Sequence, residues 1–247
     1  DSQAQGFQIS INGVPTSGAE VSELVLVQYL RFINKPCYLE VEHEIEIPVG
    51  FGLGTSGAAA LSLSYALNNC FNVGLTGEQA AQIAHYAEVV CGTGLGSVIA
   101  EYTGGFERRT VAGAPGIGKI RKTHLEGCKA IILCMNPIST KNVLNKNNFG
   151  SSWTEYGVKT PLEIASLRDF LDTSYAFVSD KGLIDNQCRD IISNLNSLGF
   201  ASSIALFGRT IFTIAPKDKT EQAVSCLSRY PGQLITCGID NIGARML

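Results

Sequence analysis

The sequence predicts a protein of mixed helices and strands in two parts. Three observations favour this class. Apolar and acidic residues alternate over 37–47, helical periodicity dominates between 58 and 90, and a second mixture of helices and strands follows residue 160. The alternation indicates a sheet with one buried and one solvated face, which is the usual state of an antiparallel sheet.

Composition bounds the class further. The chain has 247 residues, of which 45% are apolar and 17% charged, so intrinsic disorder is excluded as a general description. The net charge is −3 and no basic run occurs, which argues against nucleic acid as a partner. No apolar run approaches the ~18 residues of a membrane span. Asp1 to Gln5 show no export signal and the eight cysteines form no C-x-x-C pair, so we expect a cytoplasmic protein with reduced thiols.

The first elements follow from local patterns. Residues 6–14 predict a short strand that ends in a turn at Asn12-Gly13, and residues 20–33 predict an amphipathic helix. In the strand at 37–47, His43 falls on the apolar side, where a packed core histidine is favoured over a ligand. The alternate positions carry glutamates, which predict a solvated face: Glu40, Glu42, Glu44 and Glu46.

A glycine loop at 48–57 leads into a helix at 58–69, and the capping box Thr76-Gly77-Glu78-Gln79 opens a helix to about Val90. A second glycine loop, Gly92 to Gly96, precedes a short helix that ends at Gly104-Gly105. Strands are predicted at 106–111 and 129–135.

The chain turns polar at 137–150, which predicts a domain junction or a mobile loop. We therefore divide the chain into residues 1–140 and 141–247. The second part carries predicted helices at 161–178, 185–197 and 219–229, and strands at 202–207, 210–215 and 233–237, the first two strands turning at Gly208-Arg209.

Two glycine-rich motifs also match well-known nucleotide-binding patterns. Gly52 to Gly57 matches G-x-G-x-x-G, but the half-polar strand before it, Pro48, and the lack of a second parallel strand argue against a dinucleotide site. Gly113 to Lys119 matches G-x-x-x-x-G-K, but Ile120 stands where a P-loop needs a hydroxyl group for magnesium. A glycine-rich turn between strands is the better interpretation of the second motif.

A different interpretation suits the first loop. Small residues and two hydroxyl groups stand at a helix N-terminus, where unpaired N–H groups and the positive end of the helix dipole favour an anion. Glycine lets a triphosphate approach the backbone closely, and Thr55 and Ser56 can donate to phosphate or reach magnesium. An ordinary capped helix start would explain one glycine and one hydroxyl group, but not four glycines within 50–57.

This segment resembles the phosphate loop of the GHMP kinases, P-x-x-x-G-L-G-S-S-A-A, which is matched from Pro48 to Ala59 with Thr55 and Gly57 as variants. Glu88 with Gly92 to Gly96, and Ala205 to Phe212, resemble the family's second and third motifs. Within the family the chain is similar to the archaeal pantoate kinases, through Gly113 to Gly116 and above all Pro137-Ile138-Ser139-Thr140-Lys141.

The resemblance implies a two-domain α+β fold, with a mixed or antiparallel sheet in the N-terminal domain and a smaller α+β C-terminal domain. It also implies ATP and Mg²⁺ as cofactors, pantoate as the small-molecule substrate, and transfer of the terminal phosphate to its 4-hydroxyl group in coenzyme A biosynthesis. The sequence leaves the oligomeric state open, and a homodimer would be unsurprising for an apolar chain of this size.

Site residues are carried over by position. The implied phosphate-binding residues are Gly52, Leu53, Gly54, Thr55, Ser56 and Gly57, with Ser56 and Glu88 on magnesium and Glu88 acting in catalysis. Ser139, Thr140 and Lys141 would meet the pantoate carboxylate. The plain alternatives are an exposed helix-end glutamate at 88 and a solvated loop lysine at 141.

Two departures from the family pattern matter. The catalytic position occupied by aspartate in Gly-Leu-Gly-Asp holds Ser97, which cannot act as a base at neutral pH but can cap the following helix. The family's opening Pro-Gly-His segment has no counterpart here. A nucleotide-binding pseudokinase and a GHMP kinase for another hydroxy acid or alcohol are therefore the alternatives, with a nicotinamide-dependent oxidoreductase third.

Overall fold

A computed structural model describes residues 6–33, 36–94, 96–138 and 166–246, and it divides the chain into two compact units. The first unit comprises the described residues of Asp1–Ile47, Gly54–Thr123 and Asn241–Leu247. The second comprises those of Pro48–Leu53 and His124–Asp240.

Helices and strands occur in both units, which confirms the α+β class. The helices are α1 (Glu20–Leu30), α2 (Thr55–Cys70), α3 (Gly77–Cys91), α4 (Ser97–Thr103), α5 (Leu167–Asp180), α6 (Asn186–Ser197) and α7 (Thr220–Leu227). The strands are β1 (Gly6–Ile11), β2 (Val14–Pro15), β3 (Tyr38–His43), β4 (Phe106–Val111), β5 (Lys119–Thr123), β6 (Cys128–Asn136), β7 (Ser202–Ile204), β8 (Arg209–Pro216) and β9 (Gln233–Gly238).

The first unit holds a mixed sheet in the order β2-β1-β3. β1 ends in the predicted turn at Asn12-Gly13 and pairs antiparallel with β2, a strand that the sequence does not predict. β3, however, pairs parallel with β1, with Ile9 opposite Val41, so the antiparallel expectation for the alternating strand is wrong. The reason is the connection: helix α1 carries the chain back between the two strands, and such a crossover makes strands parallel.

The face assignment of β3 is confirmed. The four glutamates at 40–46 are exposed, whereas His43 is buried, with its Nε2 3.0 Å from the Ser22 hydroxyl oxygen. The strand ends earlier than predicted because Asn12 takes over the backbone bonding of Ile45. Its side-chain amide donates to the Ile45 carbonyl at 3.0 Å, and its oxygen accepts from the Ile45 amide at 2.8 Å.

Helices α1, α2 and α3 pack on one another beside this sheet. The capping box of α3 is confirmed, with Thr76 accepting from the Gln79 amide and the Gln79 side chain accepting from the Thr76 amide. The short helix α4 packs against both α2 and α3. The core they share includes Val25, Leu26, Tyr29, Leu61, Ala84, Ala87 and Val98.

The segment from Gly113 to Gly118 joins β4 to β5 in an antiparallel hairpin. A strand starts at Lys119, where a P-loop would need a helix, so the P-loop alternative is wrong and the glycine turn is confirmed.

The second unit is built on an antiparallel sheet in the order β7-β8-β6-β9. The predicted strand pair at 202–215 is confirmed, although β7 ends at Ile204. Helices α5, α6 and α7 supply the other side of its core, which includes Ile131, Leu133, Val178, Ile191, Leu195, Ile211 and Leu227.

Residues 139–165 lie outside the described residues. The predicted junction within 137–150, the domain boundary at 140 and the start of the helix at 161–178 therefore stay predictions. None of the eight cysteines, all of which lie in the described ranges, forms a disulfide. Within the described ranges, no helix is long and apolar enough to cross a bilayer.

Candidate functional site

The N-terminus of α2 presents backbone N–H groups that have no intrahelical partner. Its N-cap, Gly54, has φ 75°, a left-handed conformation that glycine adopts without strain, and makes no side-chain capping bond. No acidic residue lies in the first turn. The amides of Thr55, Ser56 and Gly57 are too early in the helix for intrahelical bonds, so they and the positive end of the dipole can receive an anion.

The preceding half of the glycine loop is held within the second unit. The Gly50 carbonyl accepts from the Ile138 amide at 2.8 Å. A methyl group on Gly52 would lie 3.1 Å from Ala205 Cβ, and one on Gly208 would overlap the Phe51 carbonyl. The glycines at 52 and 208 therefore allow two backbone segments to touch, and these are the first and third motifs that the sequence singled out.

Glu88 lies near the end of α3 and is only 1% exposed, so the alternative of an exposed helix-end glutamate is wrong. The Thr93 hydroxyl donates to its Oε1 at 2.8 Å. Its Oε2 lies against Gly94, where any side chain would overlap it. The glycine loop after α3 thus makes room for a buried carboxylate, which is costly unless a cation or donors compensate it.

Helix α4 brings two polar side chains to the first turn of α2. A methyl group on Gly57 would clash with Ser97 Oγ and would lie 2.7 Å from Glu101 Oε2; one on Gly54 would lie 2.6 Å from Glu101 Oε1. Ser97 Oγ and both Glu101 oxygens are buried, and none makes a hydrogen bond of acceptable geometry among the described residues. Ser97 does not cap α4, since the N-cap is Gly96 without a side-chain bond, so that expectation is wrong.

Burial raises the pKa of Glu101 from 4.5 to about 8, and the negative charge of Glu88 adds to the increase. The Ser97 hydroxyl and the Arg109 guanidinium act in the opposite direction. Arg109 lies against Gly96 and forms an ion pair with Glu107 at 2.8 Å. The carboxyl group of Glu101 therefore changes its proton occupancy near neutral pH.

The structure thus brings Gly54, Gly57, Ser97 and Glu101 together, with Glu88 close enough to act on Glu101 through its charge. Ser139, Thr140 and Lys141 lie outside the described residues. Sequence reasoning missed Glu101. The available signal was its place in an otherwise uncharged helix, four residues after Ser97 and so on the same face.

The polar side chains at this site offer oxygen ligands, which suit a hard cation such as Mg²⁺. Within the described part of the chain, no three His, Cys, Asp or Glu side chains cluster as a metal site. Mg²⁺, however, is commonly bound by one or two carboxylates together with substrate phosphates. A buried carboxylate at Glu88, near the anion-receptive end of α2, fits that pattern.

Comparisons with known proteins identify the family to which this chain belongs. Residues 21–105 match the N-terminal domain of the GHMP kinases. Pantoate kinase of Methanocaldococcus jannaschii is 34% identical over 209 residues, covering 83% of this chain and 75% of the relative. Pantoate kinase of Methanospirillum hungatei is 30% identical, covering 89% and 73%. A solved structure described as a phosphotransferase related to the CoA biosynthesis pathway superposes with a TM-score of 0.82 at 26% identity, covering 98% and 81%.

Proposed function

The chain belongs to the GHMP kinases, in the pantoate kinase family, and from that membership we propose that it transfers the terminal phosphate of ATP to the 4-hydroxyl group of pantoate. The product would be 4-phosphopantoate, an intermediate of coenzyme A biosynthesis. The observation that carries the proposal is the glycine-rich N-terminus of α2, which offers amides without intrahelical partners beside buried carboxylates.

Phosphate binding would fall to the segment from Gly52 to Gly57. The helix amides of Thr55, Ser56 and Gly57 supply donors that need no rearrangement, and the two hydroxyl groups add further donors. The glycines at 52 and 54, on either side of Leu53, leave the backbone open to a bulky triphosphate. Such fixed donors stabilise the charge that spreads over the transferred phosphoryl group, which is the main source of rate enhancement in phosphoryl transfer.

Magnesium would be held by Glu88 and Ser56. When bound, the ion would neutralise part of the charge on the terminal phosphate oxygens. Thr93 keeps one Glu88 oxygen occupied and so fixes the side-chain orientation. Ser97 would contribute a polar wall to the same site, and Ser139, Thr140 and Lys141 would meet the pantoate carboxylate.

In the transfer itself, the acceptor oxygen forms a bond to the terminal phosphorus. The bond from that phosphorus to the bridging oxygen breaks, and its electron pair leaves with ADP. A GHMP kinase can work by positioning and charge stabilisation, but the acceptor proton must still go to some group. Ser97 stands where the family pattern has an acid, and this substitution favours a nucleotide-binding pseudokinase as the second candidate.

The experiment is a coupled ADP-release assay with pantoate, mevalonate and homoserine as separate acceptors. We expect turnover with pantoate and only background rates with the other two. Turnover with another acceptor would change the substrate, and Mg-ATP binding without ADP release would favour the pseudokinase.

A paired variant tests the site. Ser56→Ala combined with Glu88→Ala should lower kcat with pantoate by on the order of 100-fold or more, because both proposed oxygen ligands of magnesium are lost. Glu40→Gln, on the exposed face of β3, is the matched control and should leave kcat unchanged. Full activity of the double variant would refute the assignment.

A further inference from the structure

Glu101 is a buried acid whose oxygens make no hydrogen bond of acceptable geometry with the described residues, although the Ser97 hydroxyl lies close enough to lower its pKa. Both of its oxygens are shielded from solvent, and neither accepts a hydrogen bond from the described residues. Removing a carboxylate from water without donors is costly, and such a group persists at sites where it acts on a ligand. Glu101 also does not cap α2, since it bonds none of the amides in that first turn.

The position of Glu101 relative to Ser97 is the second observation. The two residues are four apart on α4, and therefore lie on one face of the helix, one turn from each other. Both side chains reach the same point of the phosphate loop, because a methyl group on Gly57 would meet Ser97 Oγ and both Glu101 oxygens. The longer glutamate side chain thus brings its carboxylate to the place that a short acidic side chain at 97 would reach.

We propose that Glu101 is the proton acceptor of this kinase and replaces, one helical turn further along α4, the aspartate that the family pattern has at position 97. The inference rests on the proposed function. In the step it assigns, the acceptor hydroxyl group loses its proton to a Glu101 oxygen as the acceptor oxygen bonds to the terminal phosphorus. The phosphorus–oxygen bond to ADP breaks at the same time, and ADP keeps that electron pair.

The surroundings of Glu101 suit this role. The charged groups that act on it are Glu88 from α3, which favours the protonated form, and Arg109 from β4, which favours the carboxylate. Burial, the Ser97 hydroxyl and these two charges together leave a pKa of about 8. A general base works best when its pKa lies near the working pH, because it is then both available and strong enough to take the proton.

Two other roles make different predictions. If Glu101 is instead a magnesium ligand, its loss weakens the binding of Mg-ADP. If it only stabilises the packing of α4 on α2, its loss lowers the free energy of unfolding and spares kcat in the folded protein. A proton acceptor affects kcat and its pH profile while nucleotide binding stays the same.

The test uses Glu101→Gln, which keeps the shape and removes the charge. With pantoate, or whichever acceptor the wild-type chain phosphorylates, we expect kcat to fall on the order of 100-fold or more. The wild-type kcat should rise with pH as Glu101 loses its proton, and this limb of the profile should be absent in the variant. Calorimetric affinity for Mg-ADP should stay within about threefold of wild type, and Glu40→Gln should match wild type throughout.

A compensating variant sharpens the result. Ser97→Asp in the Glu101→Gln background returns the acid to the position of the family pattern. The double variant should have a kcat at least tenfold higher than that of Glu101→Gln alone. The recovered pH limb should lie lower than in wild type, because aspartate is the stronger acid.

The outcomes separate the two proposals. A wild-type chain that phosphorylates none of the three acceptors overturns the proposed function. A wild-type chain that phosphorylates pantoate while Glu101→Gln keeps kcat within threefold overturns only the inference. Weaker Mg-ADP binding by Glu101→Gln, or no recovery in a folded Ser97→Asp/Glu101→Gln variant, also overturns it.

Discussion

Two buried polar clusters within the first unit differ in how completely they are satisfied. In one, the Tyr29 hydroxyl lies 2.9 Å from the Ser64 hydroxyl, which also donates to the Ala80 carbonyl at 2.6 Å. In the other, Ser97 and Glu101 meet the first turn of α2, and their oxygens make no hydrogen bond of acceptable geometry with the described residues. The first cluster ties α1, α2 and α3 together, while the second faces the end of a helix that can receive an anion.

The difference teaches how to separate structural from functional polar groups. A buried hydrogen bond contributes about 1 kcal/mol, but an unpaired buried group costs about 1–3 kcal/mol, and more when it carries a charge. The Tyr29–Ser64 pair therefore stabilises the fold. Glu101 destabilises it, and a destabilising group in the interior indicates a role that folding alone does not explain.

The largest effect we expect concerns stability and Glu101. Its pKa is 4.5 unfolded and about 8 folded, so the unfolded chain releases this proton first as the pH rises. The stabilisation that this raised pKa gives the folded state is therefore complete below pH 4.5 and is lost between pH 4.5 and 8. The total is roughly 3–5 kcal/mol at about 1.36 kcal/mol per pH unit. Glu101→Gln, which mimics the protonated form, should lose none of it.

Denaturant unfolding at pH 5 and at pH 8.5 measures this. Glu101→Gln should have a free energy of unfolding close to wild type at pH 5 and higher than wild type at pH 8.5. Glu40→Gln should follow wild type at both values. The opposite sign at pH 8.5, with the variant less stable, would mean that Glu101 stabilises the helix end as a partner of its dipole, and the contrast between the two clusters would fail.

The next largest effect concerns the hydrogen-bonded cluster of Tyr29 and Ser64. Ser64→Ala leaves the Tyr29 hydroxyl buried without its partner, and we expect a loss of about 1–3 kcal/mol in the free energy of unfolding. Adding Tyr29→Phe removes the stranded group, so the double variant should regain part of that loss. Both variants should keep wild-type kcat with pantoate. A double variant less stable than the sum of the single variants would show that the hydroxyl pair is not the relevant interaction.

Much of the fold could be predicted because local signals agreed with the tertiary structure. The capping box at Thr76, the turn at Asn12-Gly13 and the two-residue periodicity of β3 all act within a few residues. The parallel pairing of β3 with β1 could not be predicted from alternation, since a one-sided sheet looks the same whichever way its strands run. That direction depends on α1 acting as a crossover, which is a long-range property.

The site divides in the same way. The glycine loop and Glu88 were found because their residue types and spacing are unusual by themselves. Glu101 was missed because one glutamate in a seven-residue helix is ordinary in sequence, and only the fold shows that it is buried and unpartnered. Ser97 drew attention as a departure from a pattern, yet its meaning depends on the side chain one turn away.

The smallest effect concerns Ser22 and His43, a buried pair whose hydroxyl oxygen and Nε2 lie 3.0 Å apart. Burial lowers the pKa of His43, while the negative charge of Glu42 acts in the opposite direction, so the folded chain resists protonation below pH 6.5. Stability from this group is present above pH 6.5 and is lost as the pH falls through the folded pKa.

Ser22→Ala should cost about 1 kcal/mol at pH 7 because the imidazole loses its partner. Nuclear magnetic resonance titration of His43 in both proteins, alongside denaturant unfolding at pH 7, measures the two quantities. A His43 that titrates at 6.5 or above in the folded wild-type chain would place it among solvated groups and remove it from the satisfied class to which Tyr29 and Ser64 belong.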